Sequence, residues 1–196
     1  MSNQELGVWL FLLSDAFTFA ALLLAYAYLR LSSASFPTPF SFKTDILLAT
    51  AMTVALLAGA LLMKFAVIKA NSSTSRRWLA ATLDSGILFI ILQIIVWLNL
   101  RNAGLSFSSL PQSWQAVWSE ASPIFGATFF TLTGFHFLHV VVAVLVLFWL
   151  IVQKNKISQE KVKALRLYWN FICASWLLVL VFVYFLSIDT QGLVSR

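Results

Sequence analysis

Five long apolar runs, set apart by polar or proline-bearing stretches, make up the pattern of this chain. They cover about residues 6–31, 44–67, 78–100, 122–152 and 166–188. Each is as long as the roughly 20 residues that a helix rising 1.5 Å per residue needs to cross a hydrocarbon layer. The pattern therefore predicts an all-α polytopic membrane protein, a bundle of five transmembrane helices forming one membrane domain over residues 1–196. The fourth run, at about 31 residues, would be roughly 46 Å long, so it has to tilt or extend beyond the lipid. The first run follows Glu5 rather than a lysine or arginine and is longer than a signal-peptide core, which predicts a retained first helix.

The interruptions agree with this division. Pro37 and Pro39 stand among serines in 32–42, where a helix cannot continue. Residues 69–77 form a basic loop and 153–165 a lysine-rich one. The stretch 101–121 carries Pro111, with Trp114 and Trp118 suited to the membrane interface, and reads as a segment lying on the bilayer surface. Asp45 suits the positive end of the second helix dipole, and Ala58, Gly59 and Ala60 offer a small surface for close helix contact.

Composition and charge sharpen the picture. Hydrophobic residues make up 61% and charged residues 10% of the chain, and the mean hydropathy is +0.90, values of a membrane protein rather than a soluble domain. The net charge of +6 would suit nucleic acid only if the basic residues formed one patch. They instead gather between helices, with nine of the thirteen after helices two and four: Lys64, Lys69, Arg76, Arg77, Lys154, Lys156, Lys161, Lys163 and Arg166. By the positive-inside rule these loops and the amino terminus lie in the cytoplasm and the carboxyl terminus outside. The single Cys173 excludes an internal disulfide framework.

Polar residues at membrane depth carry the candidate chemistry, because an unpartnered polar group in hydrocarbon costs several kcal/mol. His136 and His139, the two histidines, are three residues apart on one helix face, with Thr131, Thr133 and Gly134 nearby. As ligands of a metal or haem they would need further donors, and Cys173, Asp15 and Asp84 form no recognisable ligand spacing. The favoured reading is that both rings bond to neighbouring helices and fix the packing of the bundle. Asp15, about nine residues or roughly 13 Å into the first helix, reads in two ways. It is either a neutral, proton-holding carboxyl with a functional role or a carboxyl bonded to a neighbouring helix. Asp84 lies within reach of an interfacial salt bridge to Arg76 or Arg77, Gln93 is deeper and needs a partner, and Tyr168 with Trp169 reads as an interfacial belt.

Phe129 to Val140 follow the pattern Phe-Phe-x-x-Thr-Gly-Phe-His-x-x-His-Val, and Gly7 to Asp15 read GVWLFLLSD, with an acid after serine at membrane depth. With residues 43–53, Gln93 and Trp97, and the stretch from Tyr168 and Trp169 through Trp176, they resemble, over essentially the whole chain, the subunit III family of haem-copper respiratory oxidases in its short five-helix form. The resemblance implies a subunit of an oxygen-reducing, proton-pumping complex that takes cytochrome c or quinol as donor. It implies no haem or copper in this chain, these belonging to partner subunits, and no catalysis by this chain alone. It further implies packing on subunit I beside a proton-uptake path, with subunits II and IV, and room for a larger respiratory supercomplex. Asp15 corresponds to the family's buried carboxylate, and bound phospholipid is expected, with Trp97, Trp169, Arg76 and Arg77 as contacts. The chain departs from the family at Val96, Asn170 and Cys173, where glutamate, histidine and aspartate are usual. Gln93 and Asn170 are therefore the expected partners of His136 and His139 in a bundle hydrogen-bond network.

Three other readings make different demands. An accessory protein of nitric oxide reductase, from the same family, would differ in its partner. An independent membrane cytochrome would carry haem on the two histidines, and a small transporter using Asp15 would need broken helices or an internal repeat, neither of which is visible.

Overall fold

The computed structural model describes residues 3–32, 46–69, 73–108, 124–153 and 157–185. Within them stand five helices long and apolar enough to cross a membrane. They are α1 (Asn3–Leu31), α2 (Ile46–Ile68), α3 (Ser73–Asn102), α4 (Ile124–Val152) and α5 (Gln159–Val179), the last continuing into a wider π-helical turn over Leu180–Phe185. The prolines of 32–42, Asp45, Pro111, Trp114, Trp118, Lys154, Lys156 and the end of the fifth run lie outside the described residues.

Two helix starts differ from the sequence reading. α3 begins at Ser73, so Arg76 and Arg77 are helical rather than part of a loop, and α5 begins at Gln159 rather than near residue 166. The physical reason is that hydropathy marks where lipid ends, not where the helix ends. In water a capped polar turn continues the helix at little cost. Ser158 supplies such a cap, its hydroxyl oxygen accepting from the Lys161 amide at 3.4 Å, and Glu160 sits in the first turn, where the helix dipole favours an acid. At the start of α3 the Ser75 hydroxyl donates to the Ala66 carbonyl at 3.0 Å and Arg76 donates to the carbonyl of Gln153.

Successive helices alternate in direction. On α1 and α4, Asp15 meets His139 and Phe19 meets Phe135, so one number rises as the other falls. The same inversion pairs Phe65 with Trp78, Trp97 with Thr133, and His136 with Ile172. One end of the bundle thus gathers the start of α1, the α2–α3 connection and the α4–α5 connection.

The centre is built around Trp169, which is fully buried. Its indole lies in a slot between glycines of two helices: a Cβ on Gly59 would run into the ring and the Ser85 hydroxyl, and one on Gly86 would meet the ring and Val144. The absence of side chains lets the backbones of α2 and α3 close on the indole, and its Nε1–H donates to the Leu56 carbonyl at 3.2 Å. Trp169 is therefore a core residue, not an interfacial or lipid-facing one. Met52, Leu56, Phe89, Val96 and Trp176 belong to the same buried core. α1 is the least buried of the five helices.

Candidate functional site

Asp15 of α1 and His139 of α4 come together. The Asp15 Oδ2 and His139 Nε2 atoms are 2.6 Å apart, with side chains only 12% and 10% exposed. The other ring nitrogen, Nδ1, is 2.7 Å from the Phe135 carbonyl. A carbonyl can only accept, so Nδ1 carries a hydrogen and donates to it. Nε2 then either accepts from a neutral Asp15 carboxyl or, protonated, faces a carboxylate. Both arrangements contain the same proton and the same zero net charge. A zero-charge pair is what low-dielectric surroundings favour, since separated ions would each bear a desolvation penalty.

Aromatic rings close the surroundings. Phe135, Phe19 and Phe171 stand with centroids 4.7, 5.3 and 6.5 Å from the His139 ring, and the Tyr168 hydroxyl donates to the His139 carbonyl at 3.2 Å. The pair is thus held by three helices, with α5 gripping the backbone that carries the imidazole.

His136 is separate from this pair. Fully buried, it faces the Ile172 carbonyl with Nε2 at 3.1 Å, so Nε2 donates and Nδ1 is a bare acceptor. Phe89 and Trp176 flank its ring at 5.4 and 5.3 Å. His136 thus reaches α5 and His139 reaches α1. Gln93 is fully buried and neither of its amide atoms has a partner among the described residues. Asn170 is exposed, and neither it nor Gln93 bonds to His136 or His139 among the described residues. Asn170 follows Trp169 directly, and at 100° per residue the turn that buries the indole swings the amide outward.

Of the positions where the family pattern is broken, Val96 packs in the core and the Cys173 thiol donates to the Leu56 carbonyl at 3.4 Å. Asp84 is exposed and makes no ion pair with Arg76 or Arg77 among the described residues. Trp97 donates to the Thr133 hydroxyl at 3.2 Å and, with Phe130 and Arg101, lines an apolar crevice between α3 and α4. Both Nε2 atoms of the histidines are engaged with oxygen, and among the described residues no three His, Cys, Asp or Glu side chains converge.

The pairing of Asp15 with His139 had a signal in the sequence. Asp15 is twelve residues after the start of α1 and His139 thirteen before the end of α4. In an alternating bundle those two ends lie on the same side, which puts both groups roughly 18–20 Å from it.

The fold and site define a class: a multi-pass membrane protein whose buried polar groups bind helix to helix. The family model for cytochrome c oxidase subunit III matches residues 1–188, and the chain belongs to that family. It is 27% identical to the cytochrome c oxidase subunit 3 of Synechocystis sp., with 92% of this chain and 74% of that protein covered. It is 29% identical to the cytochrome bo(3) ubiquinol oxidase subunit 3 of Pseudomonas putida, covering 93% and 86%. A Bacillus subtilis cytochrome c oxidase subunit 3 is 26% identical over 94% of this chain and 87% of its own length. The chain is accordingly a subunit of an oxidase complex with other oxidase subunits as neighbours.

Proposed function

We propose that this chain is the accessory, non-catalytic subunit III of a proton-pumping haem-copper terminal oxidase in a bacterial inner membrane. It packs on subunit I, with the haems and copper in partner subunits, and its amino terminus is cytoplasmic. The observation that carries the mechanistic part is the Asp15–His139 pair. A carboxyl and an imidazole that share one proton hold it at membrane depth without net charge, and on giving it up the pair passes to a single negative charge on Asp15, which retakes a proton from the uptake side. Beside the mouth of a proton-uptake path such a pair raises the supply of protons to the catalytic subunit and prolongs its active lifetime.

The first experiment is purification of the chain with its partners in mild detergent, with identification of the partners, a reduced-minus-oxidised spectrum and oxygen consumption. Oxygen reduction by a haem-copper catalytic subunit supports the reading. A nitric oxide reductase as partner would replace it with an accessory role in that enzyme, and haem on the isolated chain would overturn it. In the intact oxidase, Asp15→Asn is expected to leave assembly unchanged while slowing steady-state turnover or shortening active lifetime, most at high pH, where protons are scarce. Unchanged turnover and lifetime from about pH 6 to 9, a span across which proton concentration falls a thousandfold, would reduce Asp15 to a packing role.

A further inference from the structure

Two contacts fix the register of the antiparallel helices α3 and α4. Phe89 stands 5.4 Å from the His136 ring, and Trp97 donates to the Thr133 hydroxyl at 3.2 Å. Gln93 lies one turn from each of these α3 residues, on the same face, and His136 lies one turn from Thr133 on the facing side of α4. The amide and the imidazole therefore meet at one level between the two helices. Both side chains are fully buried, and three of their polar atoms, Gln93 Oε1, Gln93 Nε2 and His136 Nδ1, bond to no group among the described residues. Polar atoms buried without a bond are costly, and in folded proteins nearly all find a partner in protein or in ordered water.

We propose that Gln93 and His136 bind one water molecule between them, which bonds to all three atoms. The count of donors and acceptors closes. Because His136 Nε2 donates to the Ile172 carbonyl at 3.1 Å, Nδ1 can only accept. The water donates one hydrogen to Nδ1 and the other to Gln93 Oε1, while its oxygen accepts from the Nε2–H on the same edge of the amide. Three bonds are about what a buried water makes. A direct bond from Gln93 Nε2 to Nδ1 would satisfy two of the atoms and strand the amide oxygen. A cation would find one imidazole nitrogen and one amide oxygen, and among the described residues no cluster of three His, Cys, Asp or Glu side chains exists to complete its shell. The water ties α3 to an imidazole that already joins α4 to α5, so three helices are held through one ring.

The first test is cryo-electron microscopy of the unaltered chain, purified with its partner subunits, at a resolution that shows ordered water. One peak about 2.6–3.2 Å from each of the three atoms is expected. An amide packed directly on Nδ1 with no peak between them overturns the proposal, and so does a peak with the stronger density of a metal ion. The second test is a double-mutant cycle read by thermal unfolding of the same complex. Gln93→Met removes both amide atoms and strands Nδ1, whereas His136→Phe removes Nδ1 and strands the amide, so each alone should lower the melting temperature. With both changes none of the three atoms remains, and the double variant is expected to melt no lower than His136→Phe alone. The Ile172 carbonyl loses its donor in both of those variants, so that loss cancels. Losses that simply add would show two independent side chains with no shared water. Should the variants fail to assemble, the density in the unaltered complex decides. Neither readout depends on which enzyme the partner subunits form.

Discussion

A buried imidazole has two nitrogens to satisfy, and the two histidines of this chain satisfy them differently. His139 uses both, one on the Phe135 carbonyl and one on Asp15, while His136 uses Nε2 alone. Substitutions at Asp15 should therefore separate charge from hydrogen bonding. Asn keeps a group that can donate to Nε2, but Ala strands it, and a stranded buried acceptor costs about 1–3 kcal/mol. Thermal unfolding of the detergent-solubilised complex should thus be lowered by Asp15→Ala and little changed by Asp15→Asn. Equal losses would mean that the contact matters as an ion pair. His136→Ala, which removes a fully buried ring between Phe89 and Trp176, should cost about 3 kcal/mol and loosen association with the catalytic partner without altering its haem content. Loss of a haem at constant subunit ratio would restore a ligand role. The residues of the site were legible in the sequence because polar side chains in an apolar run are few and costly. Their partners were not, because polarity alone singles out Gln93 and Asn170, and it carries neither depth along the helix nor the face on which each falls.

Helices are the level at which the sequence was most informative, since a run of twenty or more apolar residues admits few other folds. Their ends were less so. Ser158 and Ser73 lie in polar segments that hydropathy cannot distinguish from loop, and only the cap geometry at Ser158 reveals that α5 starts there. Tyr168 and Trp169 had the look of an interfacial belt, yet Trp169 occupies the slot between Gly59 and Gly86. The small residues around Gly59 were visible as a packing surface, but nothing in the chain says which side chain will fill it. Gly86→Leu is expected to push the indole out of the slot and break its bond to the Leu56 carbonyl. An overpacked core typically loses about 1–3 kcal/mol, to be read as a lower unfolding temperature and a red-shifted tryptophan emission. Unchanged emission would show that α3 yields instead of the indole.

For the molecule as a whole, alternating helices bring the basic connections to one end, with Lys163 and Arg166 in the first turns of α5. The proposed orientation has a direct test, because Cys173 is buried and gives little background labelling. Ser108→Cys is expected to react with a membrane-impermeant maleimide on intact spheroplasts, and Thr74→Cys only after permeabilisation. The reverse pattern would invert the bundle.

The tryptophan slot also sets an order in time. Its two walls belong to the second and third helices, but the ring that fills it comes from the fifth, 67 residues after α3 ends at Asn102. At roughly 5–20 residues per second of synthesis, that is about 3–13 s during which the hairpin waits in the membrane with its notch unfilled. Until the last helix is inserted, lipid tails are all that can occupy the space between the glycines, so a nascent chain halted after α4 would hold a loose hairpin for quality-control proteases to recognise.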